Sequence, residues 1–131
     1  MSDRAGPPRQ EDYLRHIVEA AERVARYTGS LDKAAFLADE KTRDAVIRNL
    51  EIVGEAAKRI LEEYADFAGL HPEVPWNKIY AMRNRLSHGY FEINLEIVWD
   101  TAKTSLPELE GHARRLLGDD ASAGSSSERG R

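Results

Sequence analysis

Apolar residues recur at three- and four-residue steps along most of the chain, with polar side chains between them. From residue 10 to 27 the stripe is Leu14, Ile17, Val18, Ala21, Val24 and Ala25, and Thr28-Gly29-Ser30 supplies a stop, so a first helix is predicted there. Ser30 can cap a short helical turn bearing Leu31, Ala34, Ala35, Phe36 and Leu37. Asp39 then caps a long helix predicted to run to about residue 66. Its apolar stripe is Val46, Leu50, Val53, Ala57, Ile60, Leu61 and Tyr64, and its other face carries Arg43, Arg48, Glu51, Glu55, Lys58 and Glu62. The segment Gly69-Leu-His-Pro-Glu-Val-Pro75 contains two prolines and reads as a loop, with Pro75 suited to the first turn of a helix bearing Trp76, Ile79, Tyr80 and Leu86. Gly89 can end that helix in the left-handed conformation. Asn94 caps a last helix bearing Leu95, Val98, Trp99, Ala102, Leu106, Leu109 and Leu116, in which Pro107 predicts a kink or break. Nothing alternates as strands do, so the pattern predicts an all-α bundle of about four main helices without internal repeats.

Composition narrows the class. A chain of 131 residues that is 41% hydrophobic fits one domain with a single core. Residues 1–9 and 118–131 have little apolar to bury and are expected to be disordered tails around a helical domain over 10–117. The absence of cysteine excludes thiol nucleophiles, thiolate zinc sites and disulfides. No apolar leader is present and no stretch approaches the roughly 18 apolar residues of a membrane span, which predicts a soluble cytoplasmic protein that does not engage membranes. A net charge of −4 argues against a uniformly basic nucleic-acid coat, so any RNA contact must be local.

Residues 83–90 read Arg-Asn-Arg-Leu-Ser-His-Gly-Tyr, placing Arg83, His88 and Tyr90 in an Arg-x4-His-x-Tyr arrangement near a predicted helix end. An arginine holds phosphate with a fork of N–H donors, a histidine exchanges a proton near neutral pH, and a tyrosine offers a hydroxyl for modification. In RNA the 2′-hydroxyl can attack the adjacent phosphate, given a base for its proton, positive charge on the phosphate and an acid for the leaving oxygen. Arg83 and His88 are residues of the required types, and this route needs no metal or other cofactor. No compact Asp, Glu or His cluster suggests a metal site. On an ideal helix, however, five residues separate Arg83 from His88 by about 140°. Either the helix ends near His88 and the chain turns at Gly89, or a second copy completes the site across a two-fold axis. The spacing alone is equally that of a solvated arginine and a histidine near a helix C-terminus.

The motifs around this segment resemble the HepT-type members of the HEPN superfamily, ribonuclease toxins of paired HepT–MntA toxin–antitoxin modules. The likeness spans most of residues 13–110: Asp-Ala-Val-Ile-Arg-Asn-Leu-Glu-Ile-Val-Gly-Glu-Ala from Asp44 to Ala56, Val-Pro-Trp-Asn-Lys-Ile from Val74 to Ile79, Met82 to Tyr90, then Ile97-Val-Trp99 and Leu106-Pro107. The resemblance implies a HEPN-type bundle of four to five helices, a homodimer with Arg-x4-His motifs facing each other, and a metal-independent endoribonuclease of a type VII-like module. It makes Arg83 and His88 the catalytic pair and gives Asn84 a part in ordering or contacting the phosphate. Tyr90 becomes the acceptor of AMP from a partner MntA-like nucleotidyltransferase antitoxin, and AMP there adds bulk and negative charge that exclude RNA.

Arg48 and Arg85 are candidates to extend the phosphate track, or simply exposed. Gly54 lies inside the long helix, where glycine costs about 1 kcal/mol relative to alanine, and reads as a close helix–helix approach. Glu55 reads as part of a solvated face, with pairing to Arg83 across the bundle as the alternative. His16, His71 and His112 read as surface or capping residues, and Trp76, Trp99 and Tyr80 as core. A competing function is a non-catalytic nucleotide-binding or accessory subunit of a minimal nucleotidyltransferase.

Overall fold

The structure, a computed structural model, describes residues 9–88 and 93–129, and for residues 88 and 119–129 the backbone alone. Helix α1 spans Gln10–Thr28, and the Arg9 amide donates to the Asp12 carboxylate at 2.8 Å, satisfying one donor left over at the helix start. The long helix α3, Glu40–Glu63, starts as expected at Asp39, whose carboxylate accepts from the Thr42 amide at 3.0 Å. Helix α5, Trp76–His88, follows Pro75, and α6, Leu95–Asp100, is capped by Asn94 through the amides of Glu96 and Ile97. No strand occurs among the described residues, and the fold is the expected all-α bundle.

Helix α3 is the centre. It packs against α1 on one side and α5 on the other, while α1 also packs against the final helix α7, Leu106–Arg129. Leu14, Ile17 and Val24 from α1 meet Val46, Leu50, Val53, Ala57 and Ile60 from α3 in one core, joined by Trp76, Ile79 and Leu86 from α5 and by Leu106, Leu109 and Leu116 from α7. Phe36 is fully buried, its ring 5.2 Å from that of half-buried Trp99. Tyr80 is half-buried rather than core. Asn49, buried on α3, accepts from Arg23 Nε at 2.7 Å and donates to the Ala45 carbonyl at 2.9 Å, which satisfies it at the α1–α3 seam.

Several element ends differ from the sequence pattern. The short helix α2 spans Lys33–Ala38 and is capped by Asp32 rather than Ser30, because the Asp32 carboxylate reaches the Ala35 amide at 2.8 Å. Helix α3 ends at Glu63 instead of near residue 66, where Tyr64 leaves helical geometry at φ −136°, ψ 49°. A further helix α4, Ala65–Leu70, takes in Gly69 and Leu70, expected in a loop. It stops at His71 because the following Pro72 disfavours helical backbone at the residue before it. At Pro107 the helix widens rather than breaking. The turn Thr101–Ser105 is π-helical and the Leu106 amide donates to Thr101 O, five residues back, which accommodates a ring that has no N–H to give and would crowd a regular turn. The backbone of α7 stays helical through Arg129, across the segment expected as a C-terminal tail. Gly89, expected to end α5, lies outside the described residues.

Candidate active site

Helices α3 and α5 cross at Gly54. A Cβ placed on Gly54 would stand 2.1 Å from Arg83 Cβ, 2.8 Å from its Cγ and 3.1 Å from its Cα. Real Cβ atoms essentially never come within 3.0 Å of such atoms, so only glycine admits this crossing. The close approach expected of Gly54 is therefore a contact with the candidate catalytic arginine itself. It lays the stem of Arg83 against α3 and brings the guanidinium beside the next residue, Glu55, with Nη2 3.2 Å from Oε1. The pairing across the bundle, the less favoured reading of Glu55, is the one formed. On the other side Arg83 Nη1 donates to Asn84 Oδ1 at 3.0 Å.

Behind this pair stands a ladder along α3. Arg59 donates through Nε to Glu55 Oε2 and through Nη1 to Glu63 Oε2, both at 3.1 Å, and the Tyr13 hydroxyl from α1 reaches Glu63 Oε1 at 3.4 Å. The bonds to Glu63 and Glu55 push the Arg59 pKa further up, and burial, followed by the Glu63 charge, raises that of the Tyr13 phenol. Both groups keep their protons throughout the neutral range.

These side chains line an open groove of about 810 Å³ between α1, α3 and α5. Arg48, Arg59 and Arg83 face Glu51, Glu55 and Glu63 there, so its formal charges balance, and Arg48 stands 3.7 Å from Glu51. His16, expected on the surface, lines the same groove, its ring edge-on to Tyr13 at 5.9 Å. Arg85 is elsewhere: two residues on from Arg83, it lines the grooves that α5 forms with α6 and the π-helical turn. Arg83 and His88 lie on one unbroken helix, with His88 its last residue. The His88 side chain and all of Tyr90 are outside the described residues. Of the sequence candidates, then, Arg48 and Arg83 line one groove, whereas Asn84 touches Arg83 but lines the α5–α6 groove together with Arg85. Arg59 and Tyr13 had no part in the expectations from sequence, and His16 entered them only as a surface or capping residue. The four-residue steps Glu55, Arg59, Glu63 were the available signal for a ladder on one helix face.

Among the described residues no three or more His, Asp or Glu side chains gather as a metal site, and no described helix is long and apolar enough to cross a membrane.

Comparison with known proteins places this helical frame among RNA-cutting enzymes. The family described as "Ribonuclease HepT-like" matches residues 17–116. A protein of Thermococcus cleftensis named "Probable ribonuclease HepT" is 43% identical over 106 residues, covering 81% of this chain and 94% of that protein. A "Putative RNase" of Methanocaldococcus jannaschii is 38% identical over 112 residues (82% of this chain, 90% of that protein), and one of Caldanaerobacter subterraneus subsp. tengcongensis is 35% identical over 105 (80% and 91%). No solved structure matches. The chain belongs to the HepT-like ribonuclease family.

Replacing Gly54 sets two effects against each other. Alanine gains about 0.8–1.0 kcal/mol in helix propensity, whereas overpacking at a well-filled contact costs about 1–3 kcal/mol. The atoms met are the Cβ, Cγ and Cα of a helical residue rather than a flexible tip, so the cost falls at the upper end. Gly54→Ala is expected to lower the thermal unfolding midpoint by roughly 5–10 °C, measured by circular dichroism. A raised midpoint would show that the crossing is looser than described.

Proposed function

We propose that this chain is a metal-independent endoribonuclease toxin in which Arg83 holds the scissile phosphate and His88 moves the proton. The observation that carries the reading is the Arg83 guanidinium, pinned at the α3–α5 crossing on the helix whose last residue is His88. The RNA 2′-hydroxyl supplies the nucleophile. His88 takes its proton, Arg83 offsets the growing charge on the phosphoryl oxygens, and the 5′-oxygen leaves with a proton returned by the protonated His88 of the same or the two-fold related copy. Asn84 orders the guanidinium, and Arg48 in the same groove takes a neighbouring phosphate. Arg85, on another face of α5, binds RNA beyond this groove or the strand held by a second copy.

Because Arg83 and His88 are about 140° apart around one helix and about 7.5 Å apart along it, one phosphate does not bridge them along a single face. A homodimer with two α5 ends facing each other supplies the histidine of one protomer to the arginine of the other, or gathers both pairs around one cleft. Control follows from Tyr90, two residues beyond His88. A nucleotidyltransferase antitoxin that joins AMP to its hydroxyl places a bulky anion beside the phosphate site and blocks RNA.

Purified protein incubated with RNA in excess chelator is expected to cleave it, with Arg83→Ala and His88→Ala each slowing cleavage at least about 100-fold. Cleavage unaffected by either substitution would remove the proposed site, and binding without cleavage in the wild type would favour a non-catalytic accessory subunit. In a separate measurement, intact mass after mixing with the antitoxin and ATP should rise by AMP units in the wild type and not in Tyr90→Phe. An equal rise in Tyr90→Phe would place the modification elsewhere.

A further inference from the structure

The stem of Arg83 is fixed by the helix crossing, but the outer torsions of an arginine still turn freely unless the guanidinium is held at more than one nitrogen. Here it is held at two, Nη2 by Glu55 and Nη1 by Asn84. We propose that Glu55 is a positioning residue for Arg83, and that Arg59 sets how Glu55 does it. The inference rests on Arg83 being the phosphate-binding residue of the site.

A free carboxylate beside an arginine closes on it with both oxygens, and this fork-to-fork pairing occupies the same edge that a phosphate needs. Glu55 does not do this. Its Oε1 meets Arg83 while its Oε2 accepts from Arg59 Nε at 3.1 Å, and Arg59 is anchored in turn on Glu63. The contact with Arg83 is therefore single. It is an ion pair at one terminal nitrogen, the hydrogen bond to Asn84 is at the other, and N–H donors of the guanidinium remain for phosphate oxygens. Arg59 also offsets the Glu55 charge, which would otherwise repel an incoming phosphate. With its side chain 39% exposed, Glu55 contributes little to stability through this ion pair, so an orienting role separates cleanly from a folding role.

The test compares Glu55→Ala and Glu55→Gln with wild type and Arg83→Ala, using the full chain and one RNA substrate in chelator. Glu55→Ala is expected to lower kcat about 10–100-fold, the range for groups that orient a reacting residue, with KM within about threefold of wild type. Glu55→Gln keeps an oxygen acceptor for Arg83 and is expected to recover most of that loss. The unfolding midpoints of both should stay within about 4 °C of wild type. Wild-type or faster cleavage by Glu55→Ala, while Arg83→Ala is impaired, would overturn the inference and make Glu55 a competitor of the phosphate. A Glu55→Ala loss carried by KM, or matched by a collapse of the unfolding midpoint, would also overturn it. Arg83→Ala cleaving as wild type would instead strike the reading of the site itself.

Discussion

The absence of a side chain at Gly54 lets α5 settle against α3 at Arg83, and the geometry of the site follows from that contact. With a Cβ at residue 54 the two helices could not meet there, and the Arg83 stem would be displaced from the α3 surface. Glycine in a helix interior costs about 1 kcal/mol, and the buried stripe on both sides of it, Val46, Leu50, Val53, Ala57 and Ile60, offsets that cost. Packing energy from α3 is thus used to hold one arginine in place.

Electrostatics at the groove serve orientation more than attraction. Each arginine that lines it has a glutamate within 4.0 Å, and the whole chain is acidic, so no broad positive field draws RNA in from a distance. Under the proposed function, a few directed donors on a guanidinium already ordered before RNA arrives are a different device. They lose little conformational freedom on binding and present their charge where the phosphate gains its own. The paired glutamates are compatible with that function because Arg59 divides the Glu55 carboxylate between two cations.

What the sequence made legible was local or periodic. The stripes of α1, α3, α5 and α7 follow from the 3.6-residue repeat, and the caps at Asp39 and Asn94 require only a side chain and an amide two or three residues on. Pro107 announced a disturbance, but whether the helix would break or widen depended on how Thr101–Ser105 packs. Helix α4 was hidden because Gly69 sits in it, and its end at His71 is set by Pro72. At the site, motif and resemblance singled out Arg83, whereas its partnership with Glu55 depends on the rotation of α5 against α3, which no single helix pattern encodes. The helical repeat does account for Arg85 facing away, since two residues advance about 200°.

The central claim, that the Gly54 crossing seats Arg83 for catalysis, is tested most directly by RNA cleavage at saturating substrate and at a temperature where every variant is folded. Gly54→Ala is to be compared with Gly111→Ala, a helical glycine on α7 with nothing within 4 Å of its added Cβ. The account predicts a kcat loss of at least about tenfold in Gly54→Ala and an unchanged rate in Gly111→Ala. Folded Gly54→Ala protein cleaving at the wild-type rate would contradict it.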